Sequence, residues 1–221
     1  LPACLAALIE QIPRGQVTTY GRLATALGAV TAARWVATCL LDADFAVGCP
    51  AHRVVLQQGG LGSYFTRDLA DKARRLHDDG VEVVDGKVDI QKLGFDTFES
   101  TQPLERLRQW QLDSLKHNNL QPLADVPLTV AGLDVSYASP REAVMGYTLV
   151  DGETGELLWS TTVRAEVRFP YIPSFLTFRE LPVLLQGLEA AMQANRLGDL
   201  LIVDGAGILH PRRAGIATQL G

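Results

Sequence analysis

Residues 200–203 read Leu-Leu-Ile-Val and end on Asp204-Gly205, while residues 128–137 form a second apolar, β-prone run with one acid, Asp134, in its interior. A carboxylate inside an apolar strand loses solvation unless something compensates it. This pair of strands constrains the fold more than any other feature of the chain. Between them, residues 143–150 and 157–163 flank the turn sequence Asp151-Gly152-Glu153-Thr154-Gly155, the pattern of a hairpin. Residues 176–195 then have the spacing of a long amphipathic helix. Three antiparallel strands, a helix and a returning strand predict an α/β sheet. A right-handed crossover sets the strand ending at Asp204 parallel to the one that carries Asp134.

Glu180, in the first turns of the intervening helix, is placed to face the same end of the sheet. Taken singly, Asp204-Gly205 suits a strand-ending turn, and Glu180 suits an acid that complements the helix dipole. Together the three carboxylates suit Mg²⁺, with Mn²⁺ as the alternative, because such a cation takes a few protein oxygens and leaves room for water and phosphate. A metal held this way favours phosphodiester hydrolysis.

The amino-terminal half reads differently. Residues 3–11 are apolar enough for a buried helix, Pro13-Arg14-Gly15 breaks it, and Thr18-Thr19 caps a second helix over 20–27. Gly28 ends that helix, and Thr31 is placed to cap a third over 32–41. The spacing fits a helix-turn-helix and equally fits ordinary helix packing. A strand at 54–56, a charged helix at 68–77 and a hairpin over 81–91 around Asp85-Gly86 follow. Residues 99–103 are polar and Pro-punctuated, which makes them a linker between domains at 1–98 and 104–221. Helical spacing over 104–120 and a break at 122–127 lead into the strands.

A formal net charge of -5 does not advertise nucleic-acid binding, but the acidic excess lies in the half whose carboxylates would hold a cation. Cys4, Cys39 and Cys49 lack zinc-site or disulfide spacing, which points to a reducing cytosol. No apolar run approaches the ~20 residues of a membrane helix. Neither Leu1 nor Gly221 reads as a natural terminus, so the chain is expected to be part of a longer reading frame.

The segments VAGLDVSY, PYIPSFLTFREL and VDGAGILHPRRAGIA resemble endonuclease V, over residues 104–221. That resemblance implies an RNase H-like fold and Mg²⁺-dependent nicking of DNA near deaminated bases such as hypoxanthine, with inosine-containing RNA as another substrate. It makes Asp134 and Asp204 metal ligands, adds Glu180 to the acidic cluster, and sets His210 beside the scissile phosphate, where a structural histidine is the plainer reading. Tyr171-Ile172-Pro173 resembles the family's wedge, which fills the space left when a damaged nucleotide is extruded. Without the resemblance Tyr171 reads as a hydrophobic cap. Gly205 would let the backbone approach the extruded base. In the family the nuclease domain continues past the HPRR segment, with a further strand, a lysine and another carboxylate.

IPRGQVTTYGRLATALG, AARWVA and CPAHRVV, closed by VDGKVDIQKLGFDTF, resemble the DNA-binding domain of O6-alkylguanine-DNA alkyltransferases, over residues 1–98. That family carries a nucleophilic cysteine between Pro50 and His52, and here the residue is Ala51. A methyl group cannot accept an alkyl group, so the half resembles an alkyltransferase-like reader of alkylated guanine. Cys49 is the one alternative nucleophile nearby. Tyr20 would press on the phosphate that rotates with the base, and Arg34 would enter the stack. Pro50, Ala51, His52 and Arg53 would line the pocket, with Tyr64 and Asp79 in support. The expected fold is therefore two domains, a mainly α, winged-helix-like DNA-binding domain and a partial α/β RNase H-like domain. The competing reading is a binding module that grips damaged double- or single-stranded DNA and recruits other factors.

Overall fold

The computed structural model describes residues 1–123 and 125–221 and divides into two compact units, Leu1–Leu107 and Arg108–Gly221. The break expected at 122–127 includes Ala124, which lies outside the described residues.

In the first unit, α1 (Pro2–Glu10) buries Leu5, Leu8 and Ile9, and β1 (Thr18–Thr19) follows. The Thr19 hydroxyl accepts the Arg22 N–H at 3.2 Å and starts α2 (Tyr20–Ala26). Gly28, at φ +99°, ends it. Its hydrogen side faces the Glu105 backbone, where a Cβ would not fit. Thr31 does not cap the next helix. Val30–Ala32 form a 3₁₀ turn that feeds α3 (Ala33–Leu41), and the Ala32 N–H is satisfied by the Ala29 carbonyl at 3.0 Å. The short α4 (Ala43–Ala46) leads to a 3₁₀ turn at Ala51–Arg53 and to β2 (Val54–Val55), which pairs parallel to β1 with Thr18 opposite Val54.

α5 (Leu69–Asp78) is capped by Asp68, whose carboxylate accepts the Ala70 N–H at 2.8 Å. The hairpin expected over 81–91 reduces to a single bridge, Val84 with Lys87. The Val88 N–H goes instead to the Gly59 carbonyl at 2.9 Å, and the chain coils into α6 (Ile90–Leu93). Residues 99–102 are bound within this unit, Glu99 to the Gln11 side chain and the Ser100 hydroxyl to the Ala26 carbonyl. The helix α7 (Pro103–Ser114) carries the chain across the division between the units.

The second unit is the α/β sheet that the strand pattern predicts. Strands β3 (Thr129–Ser139), β4 (Glu142–Asp151) and β5 (Leu157–Glu166) form an antiparallel meander, and β6 (Leu200–Val203) returns parallel to β3, giving the order β5-β4-β3-β6. Between them α8 (Thr177–Gln193) covers one sheet face, and the short α9 (Ile216–Leu220) packs nearby. Strand parity sends Ala131, Leu133, Ala143, Met145, Tyr147 and Leu149 into the core with Val183 and Leu184 of α8. Gly187 lets the helix approach so closely that a Cβ there would overlap Met145. The Tyr147 hydroxyl donates to the Arg196 carbonyl at 2.8 Å and accepts the Gly198 N–H at 3.0 Å, fixing the crossover that aims β6. On the opposite face Gly132 and Gly146 have open space above them, and this face carries the site.

Candidate functional site

The parallel register sets Leu133 opposite Val203, so Asp134 and Asp204 are next-residue neighbours on adjacent chains. The Asp204 N–H donates to the Leu133 carbonyl at 3.1 Å, extending the ladder one step past the strand end. Both carboxylates line an open cleft of about 510 Å³ with Gly132, Gly146, Thr148 and Ile202. Glu180, in the first turn of α8, is buried. Its Oε1 accepts the Tyr137 hydroxyl at 2.8 Å. Burial, with the nearby charges of Asp134 and Asp204, raises its pKa. Tyr137 in turn is pushed up to about 12 by burial and by the Glu180 carboxylate, and the Arg179 guanidinium sits 4.5 Å from its ring centre.

The structure thus brings the two aspartates to one cleft and holds the glutamate beside it. Among the described residues, no three His, Cys, Asp or Glu side chains are grouped to hold a metal ion. Asp134 shares the open face with Gly132, and Tyr137, an odd number of residues on, turns to the α8 side and donates to Glu180.

Tyr171 stands out 62% exposed between Pro170 and Pro173, while Ile172 is fully buried and anchors the turn. His210 faces this turn. Its Nε2 donates to the Ser174 carbonyl at 3.2 Å and its Nδ1 accepts the Arg212 N–H at 3.2 Å, an arrangement that fits the neutral ring. Burial, and then the Arg212 charge, lower its pKa. Gly205 is exposed just beyond β6, and a Cβ there would run into Ile216.

In the first unit Ala51 is 2% exposed at the head of its 3₁₀ turn, after Pro50. His52 Nε2 lies 2.8 Å from Asp79 Oδ2, Arg53 Nε lies 2.5 Å from the same oxygen, and Arg14 Nε lies 3.0 Å from Oδ1. Burial works to raise the Asp79 carboxyl, but the hydrogen bonds from Arg53 and His52 outweigh it and hold the pKa low. Burial lowers the pKa of His52 despite Asp79. The Cys49 thiol points at the Phe45 and Ala46 carbonyls, 3.8 and 3.9 Å away. Burial and Glu10 raise its pKa, which keeps it in the unreactive thiol form. Tyr20 donates to the Ser63 carbonyl at 3.4 Å, Tyr64 is buried, and Arg34 is exposed on the first turn of α3.

Four residues with structural roles at these sites carry no role in the sequence reading: Lys72, Gln111, Tyr137 and Arg212. Lys72 has a visible signal, a charge one helical turn before Leu76 on the buried face of α5. Its ammonium donates to the Val54 carbonyl at 2.6 Å and the Leu61 carbonyl at 2.5 Å, tying β2 to the 61–64 loop.

Comparison with known proteins agrees with both halves. The family model for Endonuclease V matches residues 113–221, and that for the 6-O-methylguanine DNA methyltransferase DNA-binding domain matches residues 4–81. A bifunctional methyltransferase/endonuclease of Picrophilus torridus is 36% identical over 98% of this chain and 69% of its own length. A bifunctional methyltransferase-like/endonuclease of Nanoarchaeum equitans is 30% identical over 97% of this chain, which spans 63% of that relative. Among solved structures, the catalytic domain of human endonuclease V superposes with a TM-score of 0.51 at 25% identity, covering 56% of this chain and 55% of that one. An alkyltransferase-type DNA-binding half and an endonuclease V half, matched end to end by such relatives, make the chain a member of the bifunctional methyltransferase/endonuclease family.

Proposed function

We propose that the protein is a cytosolic DNA-repair endonuclease that nicks damaged DNA beside deaminated bases, with an amino-terminal half that reads alkylated guanine without removing the alkyl group. The lesion reader would occupy residues 1–98 and the nuclease residues 104–221, joined by 99–103. The observation that carries the reading is the parallel pairing of β3 and β6, which sets Asp134 and Asp204 side by side over an open cleft. Two carboxylates with room for water and phosphate oxygens fit a hard divalent cation such as Mg²⁺. When bound, the metal would neutralise charge on the attacked phosphate and make water a better nucleophile.

The chain's own groups do the rest. Asp134 and Asp204 would hold the cation, and Glu180, anchored by Tyr137, would complete the acidic cluster. Tyr171 would fill the gap left by an extruded base, replacing part of the lost stacking. Bare backbone at Gly205 would admit that base. In the other half the Ala51 methyl offers no electron pair, so Tyr20, Arg34, His52 and Arg53 bind without transfer. Tethering reader and nuclease raises the local concentration of one at a lesion held by the other.

Hypoxanthine-containing duplex, incubated with the full-length protein and Mg²⁺, should be nicked, and Asp134→Ala should abolish the nick. An intact duplex, or an undiminished nick in the variant, refutes the proposal. Tight lesion binding without cleavage would favour a recruiting module, and an inosine-containing RNA run in parallel reads the second substrate.

A further inference from the structure

We infer that Gln111 and Arg212 are positioning residues that hold the Tyr171 turn and the His210 loop in one fixed register, an inference that rests on the nuclease reading of the site. Gln111, on α7, is fully buried, and a buried amide must find partners for its two donors and two lone pairs. It finds all four. Its Nε2 donates to the Ala214 carbonyl at 3.3 Å and the Ser174 carbonyl at 3.5 Å. Its Oε1 accepts two N–H groups of Arg212, Nε at 3.1 Å and Nη2 at 2.7 Å.

The guanidinium so oriented lies 4.6 Å from the Phe175 ring centre and also donates to the Ser174 carbonyl. That carbonyl accepts from the His210 ring as well. One oxygen, directly after Pro173, therefore collects Gln111, Arg212 and His210. Ser174 itself has φ +69°, a left-handed backbone that a residue with a Cβ adopts at a cost. Three donors on its carbonyl offset that cost and decide where Tyr171, three residues earlier, points. The same donors fix the 210–214 segment, so the wedge and the loop beyond Gly205 move as one body.

A fixed wedge matters where a base must leave a duplex and something must take its place. In a single strand no gap needs filling. Loosening the carbonyl hub should therefore hurt cutting of duplex far more than cutting of the same strand alone. A general loss of folding or of metal binding would lower both together.

The test uses full-length protein on a hypoxanthine oligonucleotide, annealed or single, with Arg212→Lys, Gln111→Leu and Gln111→Glu. Lysine keeps the charge and loses the fork. Glutamate keeps the acceptor for Arg212 and loses the two donors, so it should rescue part of what leucine removes. We expect Arg212→Lys to slow duplex nicking about tenfold more than it slows single-strand nicking, as for one lost hydrogen bond to a charged group. Extrusion is read separately, without cutting, from 2-aminopurine placed beside the hypoxanthine. Its fluorescence should rise on binding the unmodified protein and stay low with Arg212→Lys at saturating protein. Equal losses on both substrates, no loss on either, or no fluorescence difference between the two proteins would overturn the inference. An unmodified protein that brightens the probe but cuts neither substrate would sink the nuclease reading while leaving the positioning role standing.

Discussion

Asp79→Asn is the sharpest probe of the first unit, because a single carboxylate there gathers two guanidinium groups, Arg14 and Arg53, and the His52 ring. Its side chain is 9% exposed, and those of His52 and Arg53 are 13% and 14% exposed. Arg14, at 70%, is screened by water and contributes little. Removing the charge leaves Arg53 with neutral acceptors, the Asn amide oxygen and the Ile12 carbonyl 2.8 Å from Nη1, and strips His52 of the anion that opposes its desolvation. Breaking a buried pair from one side costs roughly 3–5 kcal/mol. Part-exposure of the two partners puts the expectation at the lower end, about 3 kcal/mol. Amide hydrogen exchange of the β2 segment reads this unit separately from the sheet unit. The pH dependence makes the test specific. The folded carboxyl titrates below its ordinary value of 3.8, so its contribution is complete above that value. It drains away as pH falls through the lower folded pKa. The gap between unmodified protein and variant should thus be flat above the ordinary histidine value of 6.5, widen below it because His52 without Asp79 resists protonation still more, and close in strong acid once Asp79 is protonated. A loss below about 1 kcal/mol at neutral pH, or a gap that persists in strong acid, would show that the carboxylate is not the organising charge.

Two further outcomes follow from buried groups near the same pocket. Burial lowers the Lys72 pKa from 10.5 to about 8, so between those values the unfolded chain binds a proton that the folded chain releases, and stability should rise with pH across that window. The neutral amine keeps two N–H donors, enough for both carbonyls, and Lys72→Met should abolish the rise and orphan the Val54 and Leu61 oxygens, as read in denaturant titrations at pH 8 and 10. Ala51→Cys would set a thiol at the buried head of the turn next to His52. Labelled methyl from O6-methylguanine DNA should then appear on the variant and not on the unmodified protein; label on the unmodified chain would mean that Cys49 reacts after all.

What the sequence made legible and what it did not divide along one physical line. The strand at 200–203, its parallel pairing with the strand of Asp134 and the Asp151–Gly155 hairpin were legible because burial period and turn chemistry are local properties. Thr19 as a cap was legible for the same reason. Thr31 and the 81–91 hairpin failed where a non-local or tighter bond outcompeted the local one: the Ala33 N–H had already found the Val30 carbonyl in the 3₁₀ turn, and Val88 paired with Gly59. The acidic site shows the limit most clearly. Sequence spacing gives Asp134, Glu180 and Asp204 a common end of the sheet but not the neighbours that fix each side chain. Tyr137 meets Glu180 and anchors its carboxylate, a contact that spacing does not reveal. Gln111 is the extreme case. Nothing in the spacing of its helix marks it, because every partner of its side chain lies more than sixty residues away, at 174, 212 and 214. Its full burial and four satisfied bonds are a purely tertiary property. The residues that aim a functional turn are therefore the ones a sequence reading is least equipped to name, since their role exists only once the turn, the loop and the helix have met.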